Sequence, residues 1–330
     1  MSNNFESRTT TSDINANSSC ETQSPQAYVL PTNEELREEN DVAAEQELSK
    51  LTLYRKRFFR NKAAVVGLIV FAILVLAAIV GPIIARFSYD FLDFAALSEP
   101  PNAIHWFGTN GDGGDLFAMS MHGLGRSIII AVSVSFATVL ISAIVGCVTA
   151  FLGGKVEKAM LTVIHFLLVI PSFLILALVV SSYGGDWKIL IVALIAFGWM
   201  YQARVIWSLA ISVREREYVT AARFMGVPGF KIVLRHMIPN IGSLLVINLT
   251  LGVVSTVMSE TGLSFLGLGV KIPDVSLGTL LSAGVNSLES QPWLFLFPAG
   301  ILTLLTVSMA LISDGLRDAL DPNSAAGGRA

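Results

Sequence analysis

Residues 127–154 read SIIIAVSVSFATVLISAIVGCVTAFLGG, without one Asp, Glu, Lys or Arg. A helix rising ~1.5 Å per residue needs about 20 such residues to cross a ~30 Å hydrocarbon core, and this run exceeds that length. Backbone polar groups in lipid must pair within their own segment, which makes the run a helix. Leu and Ala stand among its Ile and Val, without the apolar–polar alternation of an outer-membrane strand. Working outward, further charge-free runs lie at 63–85, 159–185, 189–203, 236–259 and 290–313. The run 189–203 is short, but with Arg204 as its one charge it continues to Val213. The expected fold is an all-α membrane protein with six transmembrane helices.

Composition agrees. Of 330 residues, 53% are hydrophobic and 14% charged, with a mean hydropathy of +0.65. A soluble chain of this length needs a larger charged shell. The net charge of -3 averages two regions: residues 1–50 carry ten Asp/Glu and three Lys/Arg, the rest fifteen and nineteen. The first fifty residues, rich in Ser, Thr, Asn and Glu, cannot bury enough apolar surface to offset chain entropy. They are expected to be a disordered acidic tail, with a frayed helix over 32–50. No apolar core follows a short basic start, so no cleavable signal peptide is expected. Cys20 and Cys147 lie one in the tail and one in an apolar run, and build neither a disulfide framework nor a metal cluster. The expected organisation is a tail at 1–50, a first helix with an outer segment at 51–126, a five-helix domain at 127–322 and a short C-terminal tail at 323–330.

Basic residues orient the spans. Arg55, Lys56, Arg57, Arg60 and Lys62 precede the first, which places the N-terminus in the cytoplasm. With six spans, all of the 22 Lys/Arg except Arg86, Arg126, Lys188 and Lys271 then fall inside. Both termini are expected to be cytoplasmic. The outer segments are unlike lipid-facing sequence: 87–126 carries five Asp/Glu residues, Asp90, Asp93, Glu99, Asp112 and Asp115. A weak apolar piece at 275–288 is too short to span and is expected at the outer interface.

The segment 211–240, ISVREREYVTAARFMGVPGFKIVLRHMIPN, is too polar for a span and too apolar for a free loop. Tyr218, Ala221, Ala222 and Met225 recur at helical spacing, which predicts a short one-sided helix. Gly226 and Pro228 stop it. A second short helix is expected from Phe230 to Met237, reaching Pro239 and entering span five. Such a helix–turn–helix on the inner face is a knob that can dock in a partner's groove and pass on rigid-body motion.

Thr220-Ala221-Ala222, Gly226 and His236-Met237-Ile238-Pro239 are similar to the EAA loop of ABC-importer permeases. Thr220, His236 and Ile238 depart from the family's Glu, Ile and Leu. The runs Arg214–Tyr218, Arg235–Asn240, His105–Thr109, Leu263–Gly269 and Gly315–Pro322 resemble, more narrowly, the C-type permease subunit of dipeptide and oligopeptide importers. Together they cover most of 50–325. The resemblance implies type I ABC importer architecture, with this loop as the cytoplasmic coupling helix and Tyr218, Ala221, Ala222, Gly226 and Pro239 as its residues. It implies a homologous second permease subunit, cytoplasmic ABC ATPase subunits that bind ATP and Mg, an extracytoplasmic peptide-binding protein and a peptide substrate in the plasma (inner) membrane. No nucleic-acid partner is expected. The outer Asn110-Gly111-Asp112-Gly113-Gly114-Asp115 lacks the Arg of the family's Gly-Arg-Asp run, so contacts at that run do not carry over.

No cofactor is expected in this chain. Gly153-Gly154-Lys155 lacks the earlier Gly and following Ser or Thr of a phosphate loop, and neither a zinc-protease motif nor a serine elbow is present. Glu260, at the outer end of span five, reads either as a substrate contact or gate or as a carboxylate paired with an outer Arg or Lys, the latter being favoured. Arg204 divides between a pathway role and snorkelling to headgroups. Pro171 is expected to kink span three, beside the pathway or for purely structural reasons. His165 is expected as a hydrogen-bonded core histidine, and Asp314 with Arg317 as a local ion pair. Nickel import is the alternative, because nickel permeases are also similar, although spans without Cys or His clusters suit nickel poorly. A secondary transporter would show repeated halves or intramembrane charges, and a membrane scaffold leaves 211–240 without a purpose.

Overall fold

The computed structural model describes residues 52–271 and 273–320. The readings for the tails 1–50 and 323–330 lie outside the described residues. Among the described residues, a helical stretch over 52–60 is followed in order by α1 Lys62–Ile84, α2 Leu116–Leu152, α3 Gly154–Val169, α4 Ser172–Ser182, α5 Trp187–Arg214, α6 Glu217–Phe224, α7 Gly229–Ile232, the π turn Val233–Met237, α8 Ile238–Asn240, α9 Gly242–Phe265, α10 Leu277–Val285 and α11 Trp293–Leu320. Strand pairing among the described residues amounts to two isolated bridges, Leu92 with Gly114 and Thr109 with Asp115.

Five helices (α1, α2, α5, α9 and α11) are long and apolar enough to span a membrane. The sixth expected span is the pair α3 and α4, bent by 69°. The break has a local cause. Pro171 follows Ile170, whose φ of -68° and ψ of 129° are extended, where the clash with a following proline ring drives a residue. Pro171 also has no N–H to continue the helical ladder.

Helix α2 is the axis of the packing. Its C-terminal third (Ala143, Cys147, Ala150) buries against Ile206, Ala210 and Val213 of α5. Its middle (Ile130, Val134) meets Val180 of α4 and Leu190 of α5, and its N-terminal part (Leu124) meets Leu277, Leu281 and Leu305. Lipid offers helices little hydrophobic drive to associate, so close approach and polar links decide the packing. A Cβ at Gly146 would stand 2.8 Å from the Ala203 carbonyl, and one at Gly67 of α1 would stand 2.8 Å from the Ser308 carbonyl of α11. The Ser142 hydroxyl donates to the Trp199 carbonyl at 2.8 Å, tying α2 to α5.

The structure alters several expectations. Helix α2 begins at Leu116, well before Ser127, because Asp115 caps it by accepting from the Ala118 N–H. Two of its polar residues share one partner: His122 Nε2 and Arg126 Nε lie 2.8 and 2.7 Å from the two oxygens of Asp274. Span five starts at Gly242 rather than 236, since the proline and π turn interrupt the helix before it. The short outer piece is a helix, α10, opened by a capping box of Ser276 and Thr279. His165 is exposed on α3, which buries only Ile164. Asp314 and Arg317 point to solvent and form no ion pair, as an exposed pair gains too little to fix both side chains. Asp318 instead accepts from the Asn61 amide at 3.0 Å.

Candidate functional site

The segment from Glu217 to Asn240 folds back on itself. In α6, Val219 and Ala222 are buried, joining Ile232, Val233 and Met237 against the C-terminal parts of α2 and α5. The expected stripe lies mostly outward: of Tyr218, Ala221, Ala222 and Met225, only Ala222 turns inward. The physical reason is that two apolar stripes share this short helix. The inward stripe anchors it. The outward stripe leaves Phe224 86% exposed and Met225 75% exposed, with Phe230 62% exposed beside them.

Gly226 ends α6 with a φ of +76°. Its N–H donates to the Arg223 carbonyl, and the Val227 N–H donates to the Ala222 carbonyl. These two bonds form a Schellman stop, whose left-handed residue glycine occupies without a Cβ penalty. Beyond it, the second element is shorter than expected. Helix α7 gives way to the π turn at Val233, and Pro239 sits in the first turn of α8. Pro239 cannot donate to a carbonyl one turn back, and a π turn is the ordinary way a helix absorbs such a mismatch. Asn240 closes the fold by donating its amide to the Tyr218 hydroxyl at 2.6 Å.

Several contacts brace this knob on the turn between α2 and α3. Arg223 donates to the Phe151 carbonyl at 2.9 Å, and its guanidinium carbon lies 4.5 Å from the Phe151 ring centroid. Arg214 donates to the Ala150 carbonyl at 2.8 Å and lies 3.8 Å from Glu157. Glu157 in turn accepts from the Trp207 indole at 2.7 Å. Gly229 packs directly on the Phe151 ring. Phe224 and Met225 thus stand on an element packed against both α2 and α5.

The structure brings Tyr218, Ala221, Ala222, Gly226 and Pro239 into this one knob. It does not bring Glu260, Pro171 and Arg204 together. Pro171 stands at the α3–α4 break, and Arg204 is exposed on α5. Glu260 is buried, and its partners are not the cation expected. It accepts from the Ser264 hydroxyl at 2.8 Å and the Ser276 hydroxyl at 2.5 Å. A Cβ on Gly278 would lie 2.8 Å from both carboxylate oxygens, so only glycine fits there. Glu260 therefore pins α10 to α9, as the structural reading required, but through hydroxyls. Sequence reasoning overlooked Phe224 and Phe230, two aromatics flanking a glycine turn in a polar stretch, which is the signal that marks them. Arg223 and Asn240 carried no such signal, because their partners are distant in sequence or backbone atoms.

The family described as "binding-protein-dependent transport system inner membrane component" matches residues 138–325, and that described as "N-terminal TM domain of oligopeptide transport permease C" matches 49–101. The oligopeptide transport system permease protein OppC of Mycobacterium tuberculosis is 44% identical over 278 residues, covering 84% of this chain and 96% of that protein. The OppC proteins of Escherichia coli and Haemophilus influenzae are 37% and 36% identical over 270 residues, covering 81% of this chain and 89% and 87% of theirs.

Proposed function

The chain belongs to the family of binding-protein-dependent transport system inner membrane components, and from that premise we propose that it is the non-enzymatic permease subunit of an ATP-driven importer of di- and oligopeptides. ATP with Mg is bound and hydrolysed on cytoplasmic partner subunits, a second homologous permease completes the pathway, and an external binding protein delivers peptide. Both termini face the cytoplasm, which follows from the basic residues around the inner loops.

The observation that carries this reading is the outward apolar surface of Phe224, Met225 and Phe230 on a braced knob. Exposed apolar clusters of this kind mark partner surfaces. A helix seated in a partner's groove transmits a rigid-body movement only if it is firmly tied to what it moves. The Arg223 contacts to Phe151 and the buried Val219 and Ala222 supply that tie. Within the class, the peptide substrate rests on the names of relatives such as the oligopeptide permeases above.

Reconstitution tests the proposal. The chain, assembled with its partner permease, ATPases and binding protein in proteoliposomes, should take up labelled trialanine only with ATP. Uptake of radiolabelled nickel in place of peptide would support the nickel alternative. Uptake without the ATPase subunits would overturn the importer reading.

A further inference from the structure

A small polar notch opens among α2, α5 and α9, about midway along α5 and α9. Its volume is about 100 Å³, and its polar walls are Thr138, Gln202, Ser255, Thr256 and Ser259. Two glycines shape it. A Cβ at Gly198 would stand 2.9 Å from Thr138 Cγ2, and one at Gly252 would stand 3.1 Å from the Ser135 hydroxyl. The Gln202 side-chain oxygen has no hydrogen-bond partner, and neither does the fully buried Ser135 hydroxyl behind Gly252. Ser255 and Ser259 are exposed at the rim.

These are the wrong groups to turn toward hydrocarbon, where an unmatched amide or hydroxyl is costly and membrane helices keep polar side chains inward or against water. The set is also wholly neutral, with no Asp, Glu, Lys or Arg on its walls. A primary amide both donates and accepts, as does each hydroxyl. The matching ligand chemistry is another neutral amide carrying one N–H and one carbonyl. A peptide main chain offers that unit at nearly every residue, whatever its side chains. The space admits one such unit, since a single water's share of liquid volume is about 30 Å³. Hard or borderline metal ions would want carboxylate or imidazole here, and the notch has neither.

We propose that this notch is a main-chain binding station for the passing peptide: Gln202 and the Ser255–Ser259 rim engage one peptide amide during transit. The proposal rests on the peptide-permease reading. It names the wall of the route and makes selection at that wall blind to side chains.

Cysteine accessibility in the assembled, ATP-supplied complex tests it. Ser255→Cys is placed in a Cys20→Ser, Cys147→Ala background. Val246→Cys, exposed on the opposite side of α9 by helical geometry, is the comparison. A charged, membrane-impermeant methanethiosulfonate should modify Ser255→Cys at least about tenfold faster than Val246→Cys, because the reacting thiolate needs water. Trialanine should slow that reaction. Gln202→Leu should lower uptake of trialanine and of bulkier tripeptides by the same factor.

Modification of Ser255→Cys by a lipid-soluble maleimide alone would place the rim in lipid and overturn the proposal. Inertness to both reagents would place it against another protein chain, and overturn it equally. Loss confined to one class of peptide side chain in Gln202→Leu would contradict main-chain recognition. If the background chain fails to insert, the buried Cys147 stays and the otherwise unsubstituted chain serves as the labelling blank. The unsubstituted complex separates the two readings. Failure of that complex to import any peptide would sink the permease reading, whereas import with an inert Ser255→Cys would sink the notch alone.

Discussion

At Gly226 the backbone, rather than its surroundings, sets the constraint. A Cβ there would meet nothing within 4 Å, yet φ is +76°. Valine at such a position costs on the order of 1–2 kcal/mol through its own backbone, whereas Asn tolerates the left-handed region better. Gly226→Val should therefore insert normally but uncouple ATP hydrolysis from uptake, with Gly226→Asn intermediate. Equal uptake and peptide-stimulated ATPase activity in all three chains would remove Gly226 from the coupling machinery. Glu260 presents the opposite case, a residue defined by its neighbours. Gln at 260 keeps an oxygen for the Ser264 and Ser276 hydroxyls, while Ala leaves both without an acceptor. An orphaned buried partner costs about 1–3 kcal/mol. Glu260→Ala should lower the thermal unfolding midpoint of the purified chain, and Glu260→Gln should lower it far less and reduce uptake only partly. Equal loss in both variants would mean that the carboxylate contributes something a neutral amide cannot.

Among the elements, the long spans were the most legible, because a hydrocarbon core imposes a length and a charge rule that no short-range accident imitates. The α3–α4 break was visible as Pro171, though its 69° bend was not. The early start of α2 was hidden, because Arg126 interrupts the charge-free run and its partner Asp274 is distant in sequence. Position and stop of the knob could be read from Gly226 and Pro239. Its facing could not, because eight residues carrying two apolar stripes leave periodicity undecided until a packing partner is known. Glu260 was misread for a related reason: hydroxyl partners such as Ser276 are too common in sequence to announce themselves. The bracing of the knob gives a prediction of its own. Arg223→Leu deletes a hydrogen bond and a cation–π contact to Phe151, together on the order of 1–3 kcal/mol. Backbone amide exchange over 217–232 should accelerate in that variant while exchange in α2, α5 and α9 stays unchanged. Unaltered exchange over the knob would show that Val219 and Ala222 hold it without Arg223.

Across the described residues, the span helices are gathered around α2, and α6 to α8 bear on α2 through its C-terminal end. A force applied at the knob reaches α2 and α5, whose middles also carry the polar notch. This arrangement suits a subunit that moves as a body when a partner moves it. The central claim is that Phe224 and Met225 form the seat for a cytoplasmic ATPase. Both side chains point to solvent, so replacing them with aspartate does not disturb the buried Val219 and Ala222 anchor. The most direct measurement is recovery of the ATPase subunits with the permease pair, carrying Phe224→Asp and Met225→Asp, from detergent-solubilised membranes. The account predicts normal insertion, normal pairing with the second permease and loss of most of the ATPase subunits. Full recovery of those subunits with undiminished peptide uptake would contradict it.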